Sequence, residues 1–371
     1  MKARTVVGVV FGGMSAEHEV SCASARNVIT AMDQGRYETV PLYIDPQGRW
    51  YLLEQGDLGS DEIPRSLPEH KRVLLAPDRT KGRLLGYHKG DFRKTVDILF
   101  PVLHGPYGED GSFQGLCKLY RIPFVGAGVV GSAVSMDKDV MKRLLREKGI
   151  PVPRFQVVCA EDRETISCER ICGELGLPLF VKPANLGSSV GITKVASPEG
   201  LRAAMETAWR YDRKILLEEC IQGREIECSV LGNWDPVASL PGEILPRHDF
   251  YSYEAKYIDK EGALLRIPAP LPDGVIREVR QMAVDTFKAL CCEGMARVDF
   301  FLRGAGELLV NELNSIPGFT NISMYPKLWE VSGISYSELI DRLIALGFER
   351  FELEMDLCTS RRLPEASPSS Q

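Results

Sequence analysis

Apolar and polar segments alternate along the first part of the chain in the manner of α/β proteins. Residues 6–11 form an apolar run that ends at two glycines, and an amphipathic segment at about 16–32 follows, which predicts a strand, a glycine turn and a helix. Residues 45–94 are rich in glycine, proline and charge, so we predict an irregular excursion at the edge of this unit. The other elements predicted here are strands at 39–44, 96–100 and 123–125 and a helix near 114–120.

The remainder of the chain is also predicted to mix helices and strands. An amphipathic helix at 136–148 ends at a stop rich in glycine and proline, which indicates a junction between units. Beyond it the pattern predicts strands at 156–158, 179–182, 215–218, 225–231 and 238–244, and helices at 163–175, 198–209, 274–290 and 335–345. We expect three domains, at residues 1–130, 131–224 and 225–350, followed by a polar, disordered tail at 351–371.

The clearest strand pattern lies near the end of the chain, at residues 296–302 and 308–314. Both stretches are rich in β-branched, aromatic and aliphatic residues, and the residues between them have turn composition. The two stretches are therefore predicted to form a β-hairpin, with its turn centred on Ala305 and Gly306.

This register places four polar side chains on one face of the hairpin. Asp299 would lie opposite Glu312, and Arg297 opposite Asn314, because side chains two positions apart share a face. Two carboxylates and an amide oxygen are ligands that Mg²⁺ prefers, and an arginine beside them suits a negative charge that develops during a reaction. The alternative is a solvated face whose acids pair with Arg297, but we favour a metal–phosphate site.

The composition is that of a globular protein with no polyanion-binding character. The 371 residues carry 45 basic and 51 acidic side chains, a net charge of −6, so nucleic acid is not an expected partner. The ten cysteines include no CxxC pair, which favours reduced thiols. No segment has the length or the processing signals of a membrane span or secretory leader, so a soluble, cytoplasmic protein is expected.

Three glycine-containing loops are candidates for binding phosphate. Residues 126–131 match GxGxxG, but no acid ends a second strand about 20 residues later, so we favour a structural turn over the dinucleotide site of a dehydrogenase. Residues 12–17 open a helix, but Glu17 and Glu19 would repel phosphate, so Glu17 is predicted to bind a cationic group such as an amine. Residues 182–191 are the best candidate, since Lys182 ends an apolar strand before a loop with small hydroxyls and glycines.

Several separate motifs, taken together, resemble the D-alanine–D-alanine ligase family of ATP-grasp enzymes. The resemblance extends from the first strand to about residue 345. The motifs are FGGMSAEHEVS at 11–21, HG at 104–105 with GEDG at 108–111, MDK at 136–138, VKP at 181–183 with GSSVG at 187–191, GRE at 223–225, YEAKY at 253–257, the hairpin itself, and PGFTNIS at 317–323.

The resemblance implies an α/β (α+β) fold with a three-domain ATP-grasp architecture, whose N-terminal domain is doubly wound-like. It implies ATP-dependent ligation of two D-alanines through a D-alanyl phosphate, for peptidoglycan precursor synthesis, by a homodimer using two Mg²⁺ or alternatively Mn²⁺ ions. By resemblance, Glu17 would bind the ammonium of the first substrate in a hydrogen-bonded group with Ser188 and Tyr257, near His104, while Lys256 and Ser323 would bind the carboxylate of the second substrate. Arg297 and the N–H of Gly318 would stabilise an oxyanion, and Asp299, Glu312 and Asn314 would bind metal. For ATP, Lys138 and Lys182 would contact the phosphates, backbone groups of Glu218, Glu219 and Ile221 would contact adenine, and Glu225 would hold the ribose. Residues 254–257 would form a lid.

The sequence departs from the family pattern at two positions and leaves alternatives open. Ser315 stands where many relatives carry threonine, and His18 where some carry arginine, which affects substrate-side hydrogen bonding and no proposed ligand. The alternative activities are D-alanine–D-lactate or D-alanine–D-serine ligation. A non-catalytic ATP-grasp protein is the alternative from another class.

Overall fold

The structure is a computed structural model that describes residues 3–58, 67–246, 263–304 and 306–357. Its first part is built on β1 (Thr5–Gly12), which is buried from Val7 onward. Valine is frequent in this strand, and β-branched side chains favour an extended backbone. The following elements are α1 (His18–Ala31), β2 (Tyr37–Ile44), β3 (Trp50–Leu52), β4 (Val73–Asp78), β5 (Lys81–Gly86), β6 (Phe92–Val96), β7 (Ile98–Pro101) and α2 (Ser112–Tyr120).

The strand–helix–strand order predicted for the start of the chain is confirmed. A four-stranded sheet has the order β3-β2-β1-β7, in which β1 pairs in parallel with β2 and β7, and β3 is antiparallel to β2. The helix begins at His18, with Glu17 at the N-cap. Because the carboxyl ends of parallel strands lie at one edge of the sheet, the loops after β1 and β7 meet there.

Two predictions for this part were wrong. Residues 45–94 contain β3 and a three-stranded antiparallel sheet of order β4-β5-β6, in which Leu84 and Val96 are fully buried. The strands are short, so glycine and charge dominated the composition and hid their alternation. At 123–125, Phe124 makes only an isolated parallel bridge to Leu99.

The middle part contains a second, antiparallel sheet of order β10-β9-β11-β8. The helix predicted at 136–148 is confirmed as α4 (Lys138–Glu147), and a further helix that was not predicted, α3 (Val129–Met136), ends just before it. The two helices meet at Asp137, whose side chain accepts hydrogen bonds from the N–H groups of Asp139 and Val140 at 3.1 Å and caps α4. The elements are α3 (Val129–Met136), α4 (Lys138–Glu147), β8 (Phe155–Cys159), α5 (Cys168–Leu175), β9 (Leu179–Pro183), β10 (Thr193–Val195), α6 (Pro198–Trp209) and β11 (Lys214–Glu219).

The last part contains the largest sheet, of order β15-β14-β12-β16-β17, with β13 paired to β12. The predicted strand at 238–244 is divided between two strands, and the final helix extends to Met355, past the predicted start of the tail at 351. The elements are β12 (Arg224–Gly232), β13 (Val237–Ala238), β14 (Gly242–Pro246), β15 (Ala263–Arg266), α7 (Asp273–Ala289), β16 (Gly294–Arg303), β17 (Glu307–Asn314), α8 (Met324–Val331) and α9 (Tyr336–Met355).

The GxGxxG segment is a packing site, which agrees with its interpretation as a structural turn. The carbonyl of Gly126 accepts a hydrogen bond from Arg350 of α9. A Cβ atom on Gly131 would lie 2.5 Å from the carbonyl oxygen of Cys291, and one on Gly294 would lie 3.0 Å from the Cα of Gly126. The glycines therefore let C-terminal residues approach this backbone closely.

One hydrophobic core joins the beginning and the end of the described chain. Val7, Val9 and Ile98 of the first sheet lie in the same buried cluster as Leu339 and Leu343 of α9. Among the described residues, no helix has the length and apolar character needed to cross a membrane.

Candidate active site

The hairpin pairs the four polar residues as predicted. β16 and β17 are antiparallel, with Asp299 opposite Glu312 and Arg297 opposite Asn314. Towards the turn the register shifts by one, because Phe300 lies opposite Val310 and leaves Asn311 without an opposite residue. This bulge restores the predicted pairing at the far end of the strands even though the pairs next to the turn differ from the prediction.

Arg297 is held between two carboxylates on this face. Its Nε and Nη2 donate to Asp299 at 2.7 and 2.8 Å, and Nε lies 2.9 Å from Glu227 Oε2. Asn314 Nδ2 donates to Asp299 Oδ2 at 3.0 Å. Burial alone would lower the pKa of Arg297, but Asp299 and Glu227 raise it well above its usual value, so the guanidinium is a permanent positive charge.

Two lysine side chains of α4 face the hairpin. Lys138 Nζ lies 3.6 Å from Glu312 Oε2 and donates to the carbonyl of Leu186 at 2.6 Å. Lys142, one helical turn further, donates to the carbonyl of the bulge residue Asn311 at 3.0 Å. The amphipathic helix α4 therefore presents two ammonium groups to the same end of the hairpin.

Lys142 and Lys182 share a buried carboxylate. Glu218 on β11 lies 2.7 Å from Lys142 Nζ and pairs with Lys182 Nζ on its other oxygen. Burial alone would raise the pKa of Glu218, but the two ammonium groups lower it to about 2. The carboxylate is thus charged at neutral pH and offsets two lysines that would otherwise repel each other.

The loop after β9 contacts the N-terminal part of the chain. Ser188 donates a hydrogen bond from Oγ to Glu17 Oε1. Ser188 and Ser189 have φ angles of 51° and 60°, a left-handed conformation that non-glycine residues seldom adopt. A Cβ atom on Gly187 would lie 3.2 Å from Glu17 Oε2, so the loop backbone lies against this carboxylate.

His104 and Glu109 connect the loop after β7 to the loop after β17. His104 is 5% exposed, and its Nδ1 lies 3.0 Å from the carbonyl oxygen of Ile316. A carbonyl only accepts, so Nδ1 carries the proton, and burial lowers the pKa of His104, which favours the neutral ring. The other ring nitrogen, Nε2, has no hydrogen-bond partner among the described residues.

The Glu109 carboxyl group accepts backbone hydrogen bonds from both loops. Oε2 accepts from the N–H of Gly105 at 2.8 Å, and Oε1 from the N–H of Ile316 at 3.0 Å. Burial and the nearby Glu17 carboxylate raise the pKa of Glu109 to about 8. Glu109 is part of the GEDG motif at 108–111, but the motif alone predicted no role for it.

The segment that follows Ile316 contains Gly318 and Ser323. Ser323 Oγ accepts from the N–H of Thr320 at 2.9 Å, and a Cβ atom on Gly318 would lie 2.7 Å from that oxygen. Within the parts of the chain that the structure describes, the N–H of Gly318 has no acceptor. It is therefore a donor that a ligand oxygen could use.

The predicted adenine and ribose residues lie on or between β11 and β12, which follow each other in the chain but belong to different sheets. Glu219 ends β11, and its carboxylate accepts from the N–H and Nε of Arg154 at 2.8 and 2.9 Å. Ile221 follows this strand, and Glu225 lies on β12 opposite Phe301. Lys256 and Tyr257, with the predicted lid at 254–257, lie outside the described residues.

Two further side chains at this site were missed by sequence analysis. Lys142 follows Lys138 at helical i, i+4 spacing, and Glu227 follows Glu225 at the i, i+2 spacing of a strand. Either spacing could have indicated a shared face. What the sequence could not show is that Glu227 pairs across the sheet with Asp299.

The donor set suits a hard divalent cation bound together with phosphate. The described residues contain no group of three His, Cys, Asp or Glu side chains that could bind a metal without other ligands. Asp299 and Glu312 with the Asn314 amide supply fewer protein oxygens than Mg²⁺ requires, which is the usual arrangement where phosphate and water complete the shell.

Sequence comparisons identify the family. Models of the D-ala D-ala ligase N-terminus and C-terminus match residues 6–127 and 144–345. A D-alanine–D-alanine ligase from Oceanobacillus iheyensis is 49% identical over 359 residues, which cover 96% of this chain and 98% of that protein. A D-alanine–D-alanine ligase A from Mesorhizobium japonicum is 51% identical over 356 residues, covering 94% and 99%.

Solved structures agree with the sequence matches. A D-alanine-D-alanine ligase from Coxiella burnetii has a TM-score of 0.84 at 39% identity, covering 95% of this chain and 96% of that one. The VanG D-Ala:D-Ser ligase from Enterococcus faecalis has a TM-score of 0.82 at 36% identity, covering 93% and 100%. The protein is thus a mixed α/β enzyme of the ATP-grasp class. Within that class, the chain belongs to the D-alanine–D-alanine ligase family.

Proposed function

We propose that the protein joins two D-alanine molecules into D-alanyl-D-alanine, using ATP and releasing ADP and phosphate, to supply a peptidoglycan precursor. Its membership of the family, over nearly the full length of its relatives, supports this activity. The observation that carries the proposal is the hairpin face formed by Asp299, Glu312 and Asn314, with Lys138 3.6 Å from Glu312.

The first step activates a carboxylate. A carboxylate is a poor electrophile at neutral pH, so an oxygen of the first D-alanine attacks the γ-phosphorus of ATP, and the bond to ADP breaks to leave a D-alanyl phosphate. Lys138 and Lys182 would hold the phosphate oxygens, and Asp299, Glu312 and Asn314 would hold two Mg²⁺ or Mn²⁺ ions. When bound, these ions neutralise charge on the transferred group, and the protein's contribution is largely positioning.

Ion pairs already present indicate how the site accepts this charge. Lys138 lies near Glu312, and Asp299 pairs with Arg297. Phosphate oxygens can replace a carboxylate as partners of Lys138, and divalent cations can replace cationic side chains as partners of Glu312 and Asp299. Nucleotide and metal would therefore enter together, because either alone leaves one set of charges uncompensated.

The second step forms the peptide bond. The amine of the second D-alanine attacks the acyl phosphate carbon, and the tetrahedral intermediate carries an oxyanion before phosphate leaves. Arg297 and the N–H of Gly318 are the proposed donors to this oxyanion. Arg297 keeps its charge throughout, because its pKa is raised well above the usual value.

The amino acid sites lie beside the N-terminal loops. Glu17 is proposed to bind the ammonium of the first D-alanine, supported by its hydrogen bond from Ser188 and completed by Tyr257, with His104 close to the substrate. Lys256 and Ser323 are proposed for the second carboxylate. For the nucleotide, we propose that backbone groups of Glu218, Glu219 and Ile221 contact adenine and that Glu225 holds the ribose hydroxyls.

The test is ADP release measured against a panel of D- and L-amino acids. We expect release to depend on D-alanine, on ATP and on a divalent cation, and to stop with EDTA. Mass spectrometry should identify D-alanyl-D-alanine as the product. ATP binding by calorimetry without ADP release when D-alanine is added would instead identify a non-catalytic nucleotide-binding protein.

The alternatives within the family are D-serine and D-lactate as the second substrate. Of these two, the similarity to a D-Ala:D-Ser ligase favours D-serine over D-lactate. Competition between D-alanine, D-serine and D-lactate in one reaction distinguishes the three. A mainly mixed dipeptide or depsipeptide product would overturn the dipeptide proposal. We further propose a cytoplasmic homodimer, for which light scattering should give twice the chain mass of 41.3 kDa.

A further inference from the structure

Two loops from opposite ends of the chain are joined at Ile316. The N–H of this residue donates to Glu109 Oε1 at 3.0 Å, and its carbonyl accepts from His104 Nδ1 at 3.0 Å. Two successive peptide groups of the loop after β17 are therefore held by side chains from the loop after β7. Ile316 itself is 2% exposed, so water does not readily replace either partner.

The position of Ile316 gives these hydrogen bonds a consequence for the site. Ile316 lies two residues after Asn314, a proposed metal ligand, and two residues before Gly318, the proposed oxyanion donor. A rotation of either peptide group at Ile316 would move both. The same Glu109 side chain also fixes the backbone of Gly105 at 2.8 Å, next to the substrate-side residue His104.

Phe319, which follows Gly318, is also held through its backbone by side chains from the N-terminal part of the chain. The N–H of Phe319 donates to Ser24 Oγ at 3.1 Å, and its carbonyl accepts from Asn27 Nδ2 at 3.1 Å and from the Tyr336 hydroxyl at 2.7 Å. Ser24 and Asn27 lie on α1. Residues from the N-terminal part of the chain thus hold the backbone on both sides of Gly318, together with Tyr336 of α9, and Glu109 makes the contact that is nearest to Asn314 in the sequence.

We propose that Glu109 is a positioning residue that holds the Ile316 backbone, so that the Gly318 N–H keeps the orientation needed for peptide-bond formation. This proposal rests on the proposed function. Glu109 touches neither substrate nor metal in it, and acts through the Asn314–Gly318 backbone. It predicts that loss of the Glu109 oxygen impairs turnover and leaves nucleotide binding intact.

Glu109→Gln is the informative variant. The amide offers one acceptor oxygen and places an N–H₂ group against the second backbone N–H, so one buried donor loses its partner. We expect this lost hydrogen bond to lower kcat by a factor of roughly 10 to 100. The KM for ATP should change by less than about threefold. Glu109→Asp, which shortens the reach by one methylene, should show the same pattern and serves if Glu109→Gln is insoluble.

Asp110→Asn is a matched control. Asp110 also accepts two backbone hydrogen bonds, from the N–H groups of Tyr107 at 2.9 Å and Ser112 at 2.9 Å, but these partners are only three and two residues away in the sequence. The chemical change is the same, and no contact with the loop after β17 is lost. Its kcat should stay within about threefold of wild type.

Hydrogen exchange at the Ile316 amide tests the contact without relying on activity. Exchange should accelerate by a factor of roughly 10 to 100 in Glu109→Gln and stay unchanged in Asp110→Asn. Unchanged exchange, or a loss of kcat matched by an equal loss in Asp110→Asn, would overturn the proposal. If the wild type releases no ADP with D-alanine, the proposed function fails, and exchange alone then decides whether Glu109 holds this backbone.

Discussion

Replacing Glu218 with glutamine should destabilise the protein strongly. Both Glu218 and Lys142 are 1% exposed, and they lie 2.7 Å apart with Lys182 on the other carboxylate oxygen. The glutamine oxygen can accept from one ammonium group, but two buried positive charges would then face a neutral side chain. Removing one partner of a buried pair costs about 3–5 kcal/mol, and because one hydrogen bond is kept we expect about 3 kcal/mol.

Urea unfolding, followed by circular dichroism and by tryptophan fluorescence, measures this loss. Glu161→Gln is the matched control, since Glu161 lies in the same part of the chain and pairs with Arg213 where both side chains are exposed, at 58% and 85%. An ion pair this exposed to solvent contributes little to stability. If Glu218→Gln costs no more than Glu161→Gln, the buried charges are not coupled as we argue.

A double-mutant cycle separates charge from packing. Lys142→Met combined with Glu218→Gln removes one ammonium group together with the carboxylate. The double variant should therefore lose less free energy of unfolding than the sum of the two single changes, by about 1–3 kcal/mol. Additive losses would mean that each side chain stabilises the fold independently.

The remaining predictions concern the hairpin, glycine packing and acid stability. Glu312→Gln should cut turnover in an ADP-release assay by roughly two or more orders of magnitude, with little change in the free energy of unfolding. The control is Glu307→Gln, because Glu307 lies on the same strand and forms a surface ion pair with Arg303. Its turnover should stay near wild type. Gly131→Ala should cost about 1–3 kcal/mol in urea unfolding, because its Cβ would lie 2.5 Å from a carbonyl oxygen, whereas Gly115→Ala, with open space around it, should gain up to about 1 kcal/mol. The pKa of Glu218 falls from 4.5 to about 2 on folding. The contribution of its charge to the free energy of unfolding is therefore complete above pH 4.5 and is lost as the pH falls towards 2. The free energy of unfolding of Glu218→Gln, measured from about pH 5 to 3, should fall less steeply than that of wild type.

Local patterns in the sequence predicted the hairpin well. The pairing of Asp299 with Glu312 follows from strand alternation and a short turn, both of which are encoded within about 20 residues. The bulge at Asn311 was not predictable in this way. It is stabilised by Lys142, a residue far away in the sequence, and the predicted pairs were correct because the bulge compensates for a shifted turn.

Interactions between distant parts of the chain were beyond sequence reasoning. The contact between Glu109 and Ile316 spans 207 positions, and no periodicity or spacing links two such residues. The same holds for Glu227, whose importance depends on the strand that lies beside it. Motif resemblance indicated which loops matter, but not which backbone groups hold them in place.

The glycine pattern at 126–131 illustrates why a motif needs its surroundings. The spacing GxGxxG is compatible with a dinucleotide loop, but Gly131 approaches the Cys291 carbonyl and Gly126 binds Arg350. At Gly131 the missing Cβ allows close backbone packing, whereas Gly126 contributes its carbonyl oxygen as an acceptor. Glycines at GxGxxG spacing can therefore be explained here by the packing of the fold, without a bound dinucleotide.

The core that joins β1 to α9 affects how the protein can fold as it is synthesised. Val7 and Val9 emerge from the ribosome early, but their buried neighbours Leu339 and Leu343 are translated more than 300 residues later. At about 5–20 residues per second, the first sheet waits some 15 seconds or longer with part of its apolar face uncovered. Newly made chains should therefore depend on chaperones during this interval, until the last helix leaves the exit tunnel.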